Sequence, residues 1–204
     1  RFSEKPGFTK LLPITSQIFT RKIESRLMSA IAGIAETAQK IGNDIRVLAG
    51  MKEMEEPIGP DQVGSSTMAY KRNPWIAEDL AGYARFLITL LPATYHATGQ
   101  EMLEQSCDNL AVRLLSISNI FLTADVLCEK LITMTGGFIV YGKMIRRHIE
   151  EEMPFLATEN VIMEAVKKGG DRQKMHHILK EMSMETVKRV RMEGLDNNMF
   201  EPGS

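Results

Sequence analysis

The chain has 204 residues, of which 44% are hydrophobic and 25% charged, and carries a formal net charge of -1. That composition supports a sizeable buried core and supplies no bulk field to attract nucleic acid or an anionic membrane. Two cysteines, Cys107 and Cys128, are too few for a disulfide framework and are expected to be buried, unreactive thiols. Nothing resembles a signal peptide or an uninterrupted apolar span of membrane length, so a cytoplasmic location is expected. The chain starts at Arg1 and stops just after Pro202-Gly203-Ser204, which reads as a piece of something longer.

In residues 16–50, Leu27, Ile31, Ile34, Ala38, Ile41, Ile45 and Leu48 recur at steps of four and three, the rhythm of a long helix with one seam against a neighbour. Residues 50–74 hold Pro57, Gly59, Pro60 and Gly64, a loop long enough that a functional element is more economical than filler. A second helix follows on Ile76, Leu80, Tyr83, Leu87 and Leu90, with His96 near Pro92 at its expected end. A third is marked by Leu110, Leu114, Ile117, Phe121, Ala124, Cys128 and Leu131. Gly136-Gly137 ends it, and shorter helices are expected over 143–152, 159–168 and 172–193, separated by Pro154 and Gly169-Gly170. Strand-length alternation is scarce. The expected fold is therefore all-α: a long-helix bundle over residues 1–136 and a smaller helical portion over 137–204.

Several features carry no chemistry of their own. The methionines serve as flexible packing material. His148, His176 and His177 have no placed partners in the sequence and are expected to be solvent-facing or structural. Arg146-Arg147 and Lys167-Lys168 are isolated pairs amid acids with no aromatic stacking platform, which argues against a nucleic-acid surface. No metal site and no cofactor are expected.

Gly64-Ser65-Ser66-Thr67-Met68-Ala69-Tyr70-Lys71-Arg72-Asn73-Pro74 differs from these. Small residues, paired hydroxyls, two cations and an amide suit a loop over residues 59–74 that closes on an anion. This run resembles the signature loop of the fumarase/aspartase superfamily, Gly-Ser-Ser-x-Met-Pro-x-Lys-x-Asn-Pro. Its Tyr-Lys-Arg-Asn-Pro ending is similar to that of the adenylosuccinate lyases, animal type. The stretches Ser16-Gln17-Ile18-Phe19-Thr20-Arg21-Lys22, Lys52-Glu53-Met54-Glu55-Glu56-Pro57, Phe121-Leu122-Thr123-Ala124-Asp125, Ala157-Thr158-Glu159-Asn160 and Gly169-Gly170-Asp171-Arg172-Gln173 extend the resemblance along most of the chain.

The resemblance implies a homotetramer with active sites shared between subunits, and cleavage of a carbon-nitrogen bond by β-elimination. Fumarate would leave adenylosuccinate and the related succinylated imidazole-carboxamide intermediate of purine synthesis. By motif position Ser65 is the base, and Gln17, Ser66, Lys71, Asn73 and Arg113 bind substrate. Glu78, Arg21 and Met68 support them, and the general-acid histidine belongs to an N-terminal part that precedes this segment. Deprotonation beside a carboxylate creates a highly charged carbanion, so cations and amide donors must be aimed at it beforehand. A serine hydroxyl acts as base only if amides and a cation lower its pKa and water is excluded.

The sequence departs from the family pattern at two places. Ala69 stands where proline is usual, which loosens the loop. Gln105, Leu110 and Leu114 replace groups that grip the nucleotide phosphate, leaving Arg113; the two leucines also fit an apolar seam. Two other readings follow: a superfamily lyase for another succinyl-type substrate, and a silent bundle with an assembly role.

Overall fold

A computed structural model of the chain describes residues 10–57, 59, 68 and 70–200. Contacts divide the chain into two units, residues 1–140 and 141–204. The first is a bundle of three long helices, α1 (Lys22–Gly50), α2 (Trp75–Gly99) and α3 (Asn109–Thr135), joined to a two-stranded ribbon of β1 (Met54–Glu55) and β2 (Ile139–Val140). The helices run up, down and up: Gly42 lies against Ala77 and Ala81, Ser25 bonds Thr94 and Thr98, and Glu24 reaches Arg113.

The buried seam of α1 is made mostly of small residues, with Met28 and Ile45 as its large ones. Ser25, Met28, Ala32, Ala35, Ala38, Gly42 and Ile45 face inward, while the larger Leu27 and Ile34 are exposed, against the expected seam. Ala77, Ala81 and Ala84 of α2 complement them, all buried. Small side chains let two backbones approach closely. A Cβ built on Gly42 would stand 2.8 Å from the carbonyl oxygen of Ala77, so this position has no room for a side chain. Helix α2 continues through Pro92 to Gly99, so the helix end expected near Pro92 lies further on.

Helix α3 carries two apolar faces. Ile120, Leu127 and Met134 enter the bundle core, with Ile117, Ala124 and Leu131 partly buried beside them. Leu110, Leu114 and Phe121 of the expected seam are exposed, as is Cys128. Leu110 and Leu114 therefore add nothing to this chain's core. Cys107 is exposed too, so the expectation of buried thiols fails at both positions. Apolar on two sides, α3 is long and apolar enough to cross a membrane by length and composition alone, although Arg113 and Asp125 interrupt its apolar run.

The ribbon was not expected. Met54 pairs with Val140 and Glu55 with Ile139, antiparallel, fastening the segment after α1 to the segment after α3.

The second unit holds α4 (Gly142–Leu156), α5 (Thr158–Lys167) and α6 (Arg172–Lys188), followed by a π-helical turn over Arg189–Glu193. Gly169, at φ +88°, makes the left-handed turn between α5 and α6 that glycine adopts without strain. Asp171 then caps α6 by accepting the Lys174 N–H at 2.9 Å. Leu179, Thr186 and Met199 are buried.

Candidate active site

The described end of the signature loop lies where α1 finishes and α2 begins. Its backbone is turned tightly: the Lys71 N–H donates to the Met68 carbonyl at 3.0 Å, the Trp75 N–H to that of Asn73 at 2.9 Å, and the Glu78 N–H to that of Pro74 at 2.9 Å. A groove of about 650 Å³ opens here, lined by Asn43 and Arg46 of α1 and by Lys71, Arg72, Asn73 and Glu78. Arg72 donates to Glu55 at 3.0 Å, and Arg46 donates to the Asn43 side chain at 3.4 Å. Lys71 is exposed and meets no carboxylate among the described residues. Two cations with no carboxylate partner among the described residues, a compact ammonium and a planar fork, thus share a groove with an amide donor. Such a set suits an anionic ligand with more than one carboxylate.

Glu56 lies beside Asn73 and Pro74 at the edge of the groove. Its side chain is 2% exposed, and its oxygens accept the Ile76 N–H at 3.0 Å and the Ala77 N–H at 3.1 Å, the orphan donors of the first turn of α2. Burial pushes its carboxyl above the ordinary value, and the amides of Ile76, Ala77 and Trp75 act against that rise by stabilising the anion.

A second polar cluster occupies the opposite end of the bundle. The Arg113 fork donates to both oxygens of Glu24, from Nε at 2.8 Å and from Nη2 at 2.5 Å. That bonding holds Arg113 still more firmly in its cationic form. Arg21, at 8% exposure, donates to Glu24 at 3.3 Å, lies 3.7 Å from Glu101 through an unbonded Nε, and stacks its guanidinium 4.9 Å from the Phe19 ring centre. Asn109 donates to Glu101 at 3.3 Å. Gln17 is exposed just before α1.

The expected site residues thus form two groups. Lys71, Asn73 and Glu78 share one end, with the Met68 carbonyl anchoring the Lys71 turn. Gln17, Arg21 and Arg113 share the other. From Arg21 to Arg46 the chain climbs about 40 Å at the α-helical rise, so one chain does not bring the two groups together. Ser65 and Ser66, with Gly64, Thr67 and Ala69, lie outside the described residues. Sequence reasoning missed Glu56 and Arg46. An Asn43–Arg46 pair in the last turns of α1 was a visible signal for the second, whereas the bonding partners of Glu56 lie beyond the whole loop.

Residues 154–201 match the family model "Adenylosuccinate lyase C-terminus". The chain is 40% identical over 201 residues to an adenylosuccinate lyase of Saccharomyces cerevisiae, covering 98% of this chain and 42% of that protein. It is 37% identical to one of Schizosaccharomyces pombe, covering 96% and 40%, and 32% identical to one of Schistosoma mansoni, covering 98% and 42%. The chain therefore spans about two fifths of the length of these relatives, 40–42%. Among solved structures, a 3-carboxy-cis,cis-muconate lactonizing enzyme from Pseudomonas putida superposes with a TM-score of 0.77 at 24% identity, over 92% of this chain and 41% of that one. A fumarate lyase from Mesorhizobium gives 0.71 at 17%, over 89% and 38%. These two likenesses show the fold.

Proposed function

Because this chain belongs by sequence with the adenylosuccinate lyases, we propose that its protein cleaves adenylosuccinate, and the related succinylated imidazole-carboxamide ribotide, by β-elimination of fumarate. The observation that carries this reading is the cationic groove of Lys71, Asn73 and Arg46 at the foot of a signature loop, in a chain 40% identical to such a lyase. Lys71 and Asn73 hold the succinyl carboxylates and stabilise the charge that develops when the proton beside one of them leaves. Ser65, by its motif position, takes that proton, and Ser66 assists in binding. As the carbon-nitrogen bond breaks, the electron pair goes to nitrogen, which takes a proton from a general acid outside this segment. Glu78, in the first turn of α2, supports Lys71.

The two-ended distribution of site residues supports a shared active site. A homotetramer of antiparallel neighbours would bring the loop end of one copy to the Gln17 and Arg21 end of another, and would cover the exposed apolar faces of α1 and α3. No nucleic acid, membrane or cofactor is needed, and the setting is cytoplasmic.

Fumarate release by the full natural chain, measured beside Ser65→Ala, tests the reading. Turnover that the substitution lowers by at least about a thousandfold is expected when a proton-abstracting group is removed from a preorganised site. A second reading, a lyase for a succinyl substrate without a nucleotide phosphate, is favoured by one observation. Arg113, the cation left in the altered phosphate segment, has its fork engaged by Glu24. Faster turnover of dephosphorylated than of phosphorylated substrates would establish it.

A further inference from the structure

Glu56 is a buried carboxylate for which the elimination itself has no use. A helix N-terminus is ordinarily capped by a short polar side chain immediately before it. Here Pro74 holds that position, offers no side-chain acceptor, and the cap arrives from Glu56, twenty positions before the Ile76 N–H it accepts. Withdrawing a carboxylate from water is costly unless it is bonded, and both Glu56 oxygens are bonded to backbone amides. The neighbouring Glu55 grips Arg72 at 3.0 Å, and β1, which carries Glu55, is itself fastened to β2. The first turn of α2 therefore cannot shift against residues 55–56 without breaking two charge-assisted bonds. Lys71 and Asn73 are continuous with that turn through the Asn73 carbonyl, which receives the Trp75 N–H, and the Pro74 carbonyl, which receives that of Glu78.

We propose that Glu56 is a positioning residue: through the Ile76 and Ala77 amides its carboxylate fixes Lys71 and Asn73 in the groove beside Arg46, and so sets affinity for the dicarboxylate part of the substrate. This rests on the reading that Lys71 and Asn73 hold carboxylates. A plain helix cap would contribute to stability alone. A positioning group also sets the distance between Lys71 on the loop side and Arg46 on α1, because the segment that carries Glu56 follows directly from α1, whose Leu48 carbonyl accepts the Glu53 N–H at 3.0 Å.

The test compares the full natural chain with Glu56→Gln, which keeps the shape but puts an NH₂ group, unable to accept, against one of the two amides. Four quantities are measured: KM and kcat for fumarate release, the inhibition constant of fumarate, and equilibrium fumarate binding followed by the emission of Trp75. Trp75 is the only tryptophan in these 204 residues and the first residue of α2, and its contribution is isolated by subtracting the signal of Trp75→Phe. KM and the fumarate constant should rise together by about tenfold, the effect of misplacing a binding group by a fraction of an ångström, with helix content and assembled mass unchanged. If both constants stay within about twofold, whether or not stability falls, the carboxylate is a structural cap and the inference is overturned. Should Glu56→Gln not assemble, Glu56→Asp, which withdraws the acceptors by one methylene, is read in the same way. A wild type that binds fumarate without turning over would end the lyase reading and leave this inference to the binding shift. A wild type that neither binds nor turns over would overturn both.

Discussion

Glu24 shows how little of a residue's duty can be read from its place in the chain. It is an acid in the first turn of α1, an ordinary favourable position beside the helix dipole. Yet its oxygens hold Arg113, 89 residues later, and also receive Arg21. Both side chains of the Arg113 pair are about one-fifth exposed, at 21% and 17%, so water screens the bond only in part. Glu24→Gln removes the charge and one acceptor, leaving Arg113 half-bonded in a partly dry site. We expect a loss of about 1–3 kcal/mol in urea unfolding of the chain, the range for stranding a partly buried charged donor. An unchanged midpoint would mean that water serves Arg113 equally well. The same lesson separates the site residues. Lys71 and Asn73 stand out in the sequence because their types and spacing form a compact motif, and they line one groove. Glu56 and the Arg113–Glu24 bond do not stand out, because each depends on partners the fold brings from elsewhere.

Among the elements, helices α1, α2 and α3 were legible in number and order, since a rhythm of three and four survives over many turns. The face each one buries was less so. A seam chosen for large apolar residues picks Leu27 and Ile34, whereas the buried contact of α1 with α2 runs along Ser25, Ala32, Ala35, Ala38 and Gly42, where small size is the property selected. The β1–β2 ribbon is two residues a side, too short to leave any alternation in the sequence. Gly42 offers the sharpest test of this packing. Alanine is better than glycine in a helix by about 1 kcal/mol, so an open position would gain from the change. Here the new Cβ would stand 2.8 Å from a backbone oxygen that cannot swing aside. Overpacking, at about 1–3 kcal/mol, should outweigh propensity, and Gly42→Ala should lower the thermal midpoint. Gly33, on the same helix, has nothing within 4 Å of the place a Cβ would take, and Gly33→Ala is the control expected to raise it.

At the scale of the whole molecule, the division of the site residues and the second apolar face of α3 have a common explanation. Leu114, at 66% exposure, Phe121 and Ile132 leave α3 with apolar surface that its own chain does not cover. About 40 Å of helix separates the groove of Lys71 and Asn73 from Gln17 and Arg21. A face that must be covered and a site that must be completed both call for neighbouring copies, as the proposed tetramer would supply. Were each site built from two copies, a chain defective at one end could be rescued by a chain defective at the other. Gln17→Ala and Lys71→Ala variants of the full natural chain should each lack fumarate release when purified alone. Mixed, dissociated and reassembled together, they should recover part of the wild-type rate, because some sites would then draw the intact Gln17 from one copy and the intact Lys71 from another. A site contained within one chain would give no recovery at any mixing ratio, since every chain in the mixture carries a defect.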